Sequence, residues 1–284
     1  LPLTLNLEKA EKKLKALTPH IVFNLVESVQ NQGQWIYFST ALLEKLCIPY
    51  TGCSHDAVFL TSNKLMAKKL MQAYHIPTPP WFSLKEKSLS FLKGQKIILK
   101  SVWEHASLGL SKDSIFSFSC KEEIEKKLAF LYQKEKKEFF AESFIDGREF
   151  NISLLAGEVL AIPEMVFNEN WQGDKIIDYQ AKWDSHSADY HNSFRSFSFL
   201  PQDDALLKKL SQIALDCWHA FDLSGYARVD FRVDEQNNPF VLEINSNPCL
   251  SSDGGFYAAL TQSGYSVHQG IEKILQEAYQ KRRV

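Results

Sequence analysis

The chain has 284 residues, 45% of them hydrophobic and 23% charged, with a formal net charge of -2. Its length exceeds the usual single-domain size, so two or three packed subdomains are expected, and the ordinary composition excludes a disordered chain. The near balance of charge excludes recognition of nucleic acid or of a membrane surface by bulk electrostatics, so any charge that matters is local.

Residues 8–17, EKAEKKLKAL, read as the end of an amphipathic helix, 20–26, HIVFNLV, as a buried strand, and 36–47 as a second helix. After Thr51-Gly52 a further helix is expected over 61–74, with Leu65, Met66, Leu70 and Met71 at helical spacing, until the PTPP of 77–80 stops it. From 95 to 145 the order is strand (KIILK), polar loop (SVWEHASLGLSKD), strand, a lysine- and glutamate-rich helix at 121–137, and strand (FFAESFI), the size of a compact α+β unit. Residues 149–167 read as two strands around a turn at Gly157-Glu158. The irregular stretch 168–200, rich in Asn, Asp, Ser and aromatics, is long enough to be either disordered or a functional lid. Leu206, Leu207, Leu210, Ile213, Cys217, Trp218 and Phe221 make one helical stripe that ends before Gly225, and a terminal helix is expected over 268–280.

Cys47, Cys53, Cys120, Cys217 and Cys249 are scattered, with no C-x-x-C pair, which supports neither a disulfide framework nor a structural zinc site. A reducing cytoplasm is the expected setting. No apolar run approaches the roughly 18 residues of a membrane span, and Leu1-Pro2-Leu3 lacks the basic start of a signal peptide. With no initiator methionine, an N-terminal piece is expected to precede Leu1.

Residues 225–248, GYARVDFRVDEQNNPFVLEINSNP, carry the densest chemistry. Alternation puts Arg228, Asp230 and Arg232 on one face of a first strand, with Val229, Phe231 and Val233 on the other. The second strand sets Phe240, Leu242 and Ile244 against Val241, Glu243 and Asn245. A four-residue turn, Glu235 to Asn238, places Asp230 opposite Glu243 and Arg228 opposite Asn245. Two carboxylates about 5 Å apart across a strand pair repel unless a proton or cation lies between them. The oxygen-only set Asp230, Glu243 and Asn245 suits Mg²⁺, and Arg228 one pleat away would face the same phosphates. Arg232 and Asp234 read as ordinary surface residues, and a slip of one residue would undo the register.

Neither G-x-x-x-x-G-K-[ST] nor G-x-G-x-x-G occurs, so phosphate-binding cations are single lysines: Lys64 in the first turn of a helix, Lys100 ending KIILK, and Lys182 in the long loop. Each alone also reads as a solvated lysine. Ser90-Phe91-Leu92-Lys93 has no accompanying K-T-G, and Gly52-Cys53-Ser54-His55 misses the second glycine of a nucleophile elbow, so no hydrolase is supported.

The hairpin, together with FNLVE (23–27), IPYTG (48–52), TSNKLMAKKLM, IPTPP (76–80), ESFIDGREF (142–150) and YQAKWD (179–184), resembles the ATP-grasp superfamily and within it the D-alanine:D-alanine ligase family. The likeness follows the family's order over nearly the whole chain. It implies an α/β (α+β) protein with a partial N-terminal α/β domain (1–55), a small central ATP-grasp subdomain (56–142) and a C-terminal subdomain (143–284) with its lid near 168–200, ATP being gripped between the last two.

By position the resemblance makes Lys64 and Lys100 phosphate-binding lysines, Glu142, Ser143, Phe144 and Ile145 the linker that reads adenine, and Glu149 the ribose acid. Lys182 becomes the lid lysine that reaches the transferred phosphate. Asp230, Glu243 and Asn245 become the ligands of Mg²⁺, for which Mn²⁺ could substitute, and Arg228 steadies the transferred phosphoryl group. The implied reaction activates a carboxylate as an acyl phosphate and passes it to an amine. The implied partners are small amino acids or peptides and a second subunit docked through the N-terminal domain, with neither nucleic acid nor membrane.

The chain also departs from the family pattern. The glycine- and serine-rich loop E-G-S-S-x-G is here Glu104-His105-Ala106-Ser107-Leu108-Gly109, leaving Ser107 and backbone N–H groups to meet the phosphates. A substrate-binding tyrosine is replaced by Trp183. After the metal ligands, P-G-M becomes Pro248-Cys249-Leu250, followed by Ser251-Ser252-Asp253-Gly254-Gly255, where Asp253 either meets an amine or caps a helix and Gly254 borders the substrate. The expected function is a carboxylate-amine ligase with substrates other than two D-alanines; the rivals are a true D-alanine:D-alanine ligase and a nucleotide-binding protein without ligase activity.

Overall fold

The computed structural model describes residues 1–85, 95–104, 114–171, 173–176 and 192–280. Helix α1 (Leu7–Leu17) starts at Asn6, whose side chain accepts the Lys9 N–H, and it packs Ala10 and Leu14 against Leu42 and Leu43 of α2 (Phe38–Lys45). The strand expected over 20–26 is a single parallel bridge between Val22 and Tyr50. The ladder ends there because the next available donor, Asn24 N–H, goes to the Thr51 hydroxyl at 2.9 Å and not to a strand carbonyl.

The helix expected over 61–74 is two helices, α3 (His55–Ser62) and α4 (Lys64–Ala73). Asn63 breaks them apart with extended backbone, and its side chain caps α4 by accepting from Met66 N–H. The buried face of α4 is Lys64, Ala67, Lys68 and Met71, whereas Met66 of the expected apolar stripe is 41% exposed. Of the other expected stripe members Met71 is buried in the main core and Leu65 and Leu70 are half-buried, so the helix is turned by the packing of Ala67 and Met71 as well as by the ion pairs of the two lysines.

Two antiparallel sheets follow. Strands β1 (Trp81–Phe82), β2 (Lys96–Ser101), β3 (Ile115–Ser117) and β4 (Phe139–Ser143) pair in the order β1-β4-β2-β3. Ile97 and Leu99 pack against Ile124 and Leu128 of α5 (Lys121–Glu135). The second sheet contains β5 (Arg148–Leu155), β6 (Glu158–Val159), β7 (Glu164–Phe167), β8 (Ser193–Ser196), β9 (Tyr226–Val233) and β10 (Pro239–Asn245). Its path is β10-β9-β5-β7-β8, with β6 on β5. Strand β8 lies within the stretch expected to be irregular, and the turn before β6 is Ala156-Gly157, both at positive φ, a two-residue hairpin turn one residue earlier than expected.

The main core joins Phe150, Ile152, Val229 and Phe231 to Leu210, Ala214 and Cys217 of α6 (Asp204–Ala220). Ala57, Val58, Ala67 and Met71 belong to this same core. The segment 56–142 is therefore divided in its packing between the main core and the four-stranded sheet. Helices α7 (Gly255–Gln262), absent from the expected elements, and α8 (Val267–Gln280) cover Leu155 and Tyr226 at the other end of the large sheet.

The β9–β10 hairpin differs from its expected form in two ways that offset each other. Its loop is the five residues Asp234 to Asn238, because Val233 pairs with Pro239, and the Asp234 carboxylate ties it by accepting from Gln236 and Asn238 N–H groups. A five-residue loop alone would set Asp230 against Leu242. The register shifts by one between Val241 and Glu243, which restores Asp230 opposite Glu243 and Arg228 opposite Asn245. This bulge breaks the expected alternation, so Val241 and Ile244 both enter the core.

Gly147, just before β5, has φ +148, and a Cβ there would lie 2.0 Å from the Val233 carbonyl oxygen. At Gly173, also at positive φ, a Cβ would meet nothing within 4 Å. Gly147→Ala should lower the unfolding free energy by on the order of 2–4 kcal/mol in urea titrations, against about 1 kcal/mol for Gly173→Ala.

Candidate active site

Period-two alternation makes the polar faces of β5 and β9 a single surface. Glu149 stands opposite Arg232, Asn151 opposite Asp230 and Ser153 opposite Arg228, while Phe150, Ile152, Val229 and Phe231 point into the core. Strand β10 adds Glu243 and Asn245 beside Asp230 and Arg228. Arg228 grips Asp230 with both ends of its fork, Nε to Oδ1 at 2.6 Å and Nη2 to Oδ2 at 2.7 Å. Asn151 Nδ2 donates to Oδ1 at 3.0 Å and Asn245 Nδ2 to Oδ2 at 3.1 Å, so each oxygen of Asp230 accepts two bonds. Asn245 Nδ2 also reaches Glu243 Oε1 at 3.5 Å. Burial disfavours a charged Arg228, but the carboxylates of Asp230, Glu243 and Glu149 outweigh it and hold the guanidinium above its ordinary range.

Opposing this surface are α4 and the four-stranded sheet. Lys64 Nζ lies 3.2 Å from Glu243 Oε2 and donates to the Glu104 carbonyl. Lys100 Nζ is 2.5 Å from Glu142 Oε1, and Lys68 Nζ is 2.6 Å from Glu142 Oε2. Burial of Glu142, whose side chain is 1% exposed, pushes its carboxyl up, but Lys100 and Lys68 together hold it below the ordinary 4.5. Beyond Glu142 the Ser143 N–H donates to Pro80 O and the Phe144 N–H to Lys96 O, which fixes the path of 142–145. Glu149 Oε2 pairs with Arg232 Nη2 at 2.8 Å, and Arg232 also donates to the carbonyls of Gly147 and Lys175. Arg232, expected at the surface, is 4% exposed because its strand partner and these carbonyls enclose it.

One cavity of about 170 Å³ separates the two walls. Every described residue expected to hold the nucleotide lines it, together with Arg228, Asp230 and Glu243. Gly254, φ −73, is the N-cap of α7, so the cap expected at Asp253 falls one residue later. A Cβ on Gly254 would sit 2.9 Å from Ser251 O, which explains why no side chain stands there. Asp253 presents its carbonyl to Arg195 Nη1 at 3.1 Å, and Ser251 and Arg195 hold its exposed carboxyl low. Ser107, Lys182 and Trp183 lie outside the described residues.

Sequence reasoning missed four polar residues at this site: Lys68, Asn151, Arg195 and Arg232. Asn151 and Arg232 were legible from the alternation that carries Glu149 and Asp230. Lys68 was legible only if a lysine is allowed on a buried helical face, and Arg195, which lines the cavity near Gly255, gave no signal. Among the described residues no group of three or more His, Cys, Asp or Glu gathers as a metal site, so the candidate set is two carboxylates and an amide. That set fits an oxygen-seeking cation, since one atom, Asn245 Nδ2, already touches both carboxylates.

Glu142→Gln leaves Lys68 and Lys100 facing each other without a counter-charge and should cost about 3–5 kcal/mol of stability. Because the folded carboxyl lies below 4.5, the stability it contributes is full above pH 4.5 and is lost as pH falls through the lower folded value. Urea titrations across the acid range should show this loss in the wild type and not in Glu142→Gln.

Residues 70–276 match the family model described as D-ala D-ala ligase C-terminus. A D-alanine–D-alanine ligase of Synechococcus sp. (strain JA-3-3Ab) is 30% identical over 248 residues, which cover 84% of this chain and 71% of that protein. An uncharacterized protein of Sinorhizobium fredii is 29% identical over 271 residues, covering 94% and 76%. Among solved structures, the D-alanine–D-alanine ligase from Bacillus anthracis complexed with ATP superposes with a TM-score of 0.74 at 22% identity, covering 100% of this chain and 87% of its own. The enzyme from Coxiella burnetii gives 0.69 at 19% identity, covering 93% and 70%. At those identities the likeness shows the fold, two sheets facing one cavity in the ATP-grasp arrangement. With the family model matched over most of its length, this chain belongs to the D-alanine–D-alanine ligase family of ATP-grasp ligases.

Proposed function

We propose that the chain is an ATP- and Mg²⁺-dependent ligase that joins a small amino acid or peptide carboxylate to an amine, with substrates other than two D-alanines. The observation that supports it most is the opposition, across one cavity, of Lys64, Lys100 and Glu142 to Arg228, Asp230 and Glu243. Cations that neutralise phosphates and carboxylates that attract a metal are what phosphoryl transfer needs on its two sides.

In this reading adenine lies along 142–145 and the ribose meets Glu149. Lys64 and Lys100 exchange their carboxylate partners for phosphate oxygens. Asp230, Glu243 and Asn245 would hold a divalent cation, Mg²⁺ or Mn²⁺ in its place, which would supply positive charge against the phosphate oxygens. Asn245 now points its nitrogen at both carboxylates, so its amide would have to turn its oxygen toward the cation to act as a ligand. The substrate carboxylate oxygen attacks the γ-phosphorus, the bond to the bridging oxygen breaks and ADP leaves. Arg228 and Lys182 neutralise the oxygens of the transferred group, and Ser107 with its neighbouring N–H groups holds the phosphates. The amine then attacks the acyl carbon of the acyl phosphate, phosphate departs and the nitrogen loses a proton. The lid expected near 168–200, of which 177–191 lie outside the described residues and 193–196 form β8, would keep water from the acyl phosphate. Trp183, Asp253 and Gly254 border the substrates. A cytoplasmic homodimer joined through the N-terminal unit completes this reading; among the described residues no helix is long and apolar enough to cross a membrane.

The Synechococcus relative favours a second reading in which both substrates are D-alanine. The chain should be incubated with ATP, Mg²⁺, hydroxylamine and pools of amino acids and dipeptides, one of them D-alanine alone. Hydroxamate and phosphate in a pool without D-alanine support the main reading, turnover only with D-alanine supports the second, and nucleotide binding without turnover in any pool points to a binding protein. Glu243→Gln should lower kcat by about 100-fold or more with little change in Tm, and full activity in that variant would remove the metal assignment.

A further inference from the structure

Lys68 lies outside every role assigned above, yet it is 0% exposed, on a helix of the main core. Its ammonium forms an ion pair with Glu142 at 2.6 Å and hydrogen bonds to the Thr78 hydroxyl at 2.7 Å and the Pro79 carbonyl at 3.0 Å, with the Trp81 ring centroid 5.3 Å away. A buried ammonium is a poor device for stability, because desolvation offsets most of the attraction and an apolar side chain would fill the space more favourably.

The partners of Lys68 lead in two directions. Glu142 is also the partner of Lys100, on the nucleotide side. Thr78, which accepts from Lys68, donates its one hydroxyl proton to Val241 O at 2.8 Å, and Pro77 O accepts from Val241 N at 2.8 Å. The Pro77-Thr78 segment thus covers the edge of β10 at the last residue before the bulge, and the bulge is what puts Glu243 opposite Asp230. One turn along the same helix, Lys64 pairs with Glu243 itself.

We propose that Lys68 is a positioning residue: through Glu142 it sets Lys100, and through Thr78 it holds the β10 bulge that aims Glu243, so that the phosphate-side and metal-side groups keep one spacing. The loop of contacts is closed, running from Lys100 through Glu142, Lys68, Thr78, Val241 and Glu243 to Lys64 on the helix that carries Lys68. Loosening it at Thr78 affects both walls of the cavity while leaving the apolar cores in place.

The inference rests on the nucleotide reading above and is tested by binding, not turnover. The full chain and its variants are titrated with N-methylanthraniloyl-ATP at saturating Mg²⁺, and then with Mg²⁺ at fixed nucleotide, with Tm measured in parallel. Thr78→Val, which keeps the volume and removes the hydroxyl, should raise both the nucleotide Kd and the Mg²⁺ half-saturation about fivefold, and Thr78→Ser should restore them. Lys68→Met should raise the nucleotide Kd about tenfold or more. Folded Thr78→Val and Lys68→Met variants whose Tm falls while both constants stay within about twofold of wild type would show a purely structural role and overturn the inference. A wild-type chain that binds no nucleotide overturns this inference and the functional reading together, whereas a wild type that binds no better than the variants overturns only the role of Lys68.

Discussion

A buried carboxylate must find compensating charge or lose its own, and that constraint ties α4 to the four-stranded sheet and three strands of the large sheet to one another. Glu142 and Asp230, 1% and 7% exposed, stand on different sheets, and neither sheet alone provides for both. Glu142 draws Lys68 from α4 and Lys100 from β2; Asp230 draws Arg228 from its own strand, Asn151 from β5 and Asn245 from β10. These pairs add little net stability, because desolvation consumes most of what attraction supplies, and the clusters around Phe150 and Phe82 carry that burden. What the pairs contribute is orientation, since an apolar core tolerates a sliding sheet and a doubly bonded carboxylate does not.

The charged hairpin shows how much of this was legible. Alternation alone identified the polar face of β9, because a strand with one face in an apolar core must separate its apolar residues from its polar ones, even though here the polar face is also largely buried. The pairing of Asp230 with Glu243 was reached from a four-residue turn, whereas the protein reaches it from a five-residue loop and a bulge at Leu242. Nothing in VLEIN announces a bulge. Its necessity appears only when Val241 and Ile244, three apart, must both enter a core that a regular strand could not offer them.

Other elements were hidden because tertiary partners outweighed local pattern. The sequence of α4 offers two stripes of equal spacing, and hydrophobicity favours the one with Leu65 and Met66. The protein buries Lys64, Ala67, Lys68 and Met71: Ala67 and Met71 join the main core, and counter-charges for the two lysines, Glu243 and Glu142, arrive from strands far along the chain. The same reasoning explains Arg232, which reads as surface until Glu149 is set opposite it. Helix boundaries at Asn63 and Gly254 were hidden for a local reason: an Asn within a continuous helical pattern and a glycine pair after a loop both look like ordinary members of their surroundings until their hydrogen bonds are counted.

The segment from Cys249 to Gly255, where the sequence leads one to expect altered substrate contacts, has a defined local geometry. A Cβ on Gly254 would strike Ser251 O, and the Gly254 N–H donates to that same oxygen. Next to it, Arg195 from β8 donates to Asp253 O and lies within van der Waals distance, 3.6 Å, of where a Gly255 Cβ would stand. The segment is thus a turn at the surface, defined by its own hydrogen bonds and by its contact with the Arg195 guanidinium. Arg195 and Gly255 line the same cavity as Arg228 and Glu243, so this turn and β8 contribute to the cavity wall beside the charged hairpin.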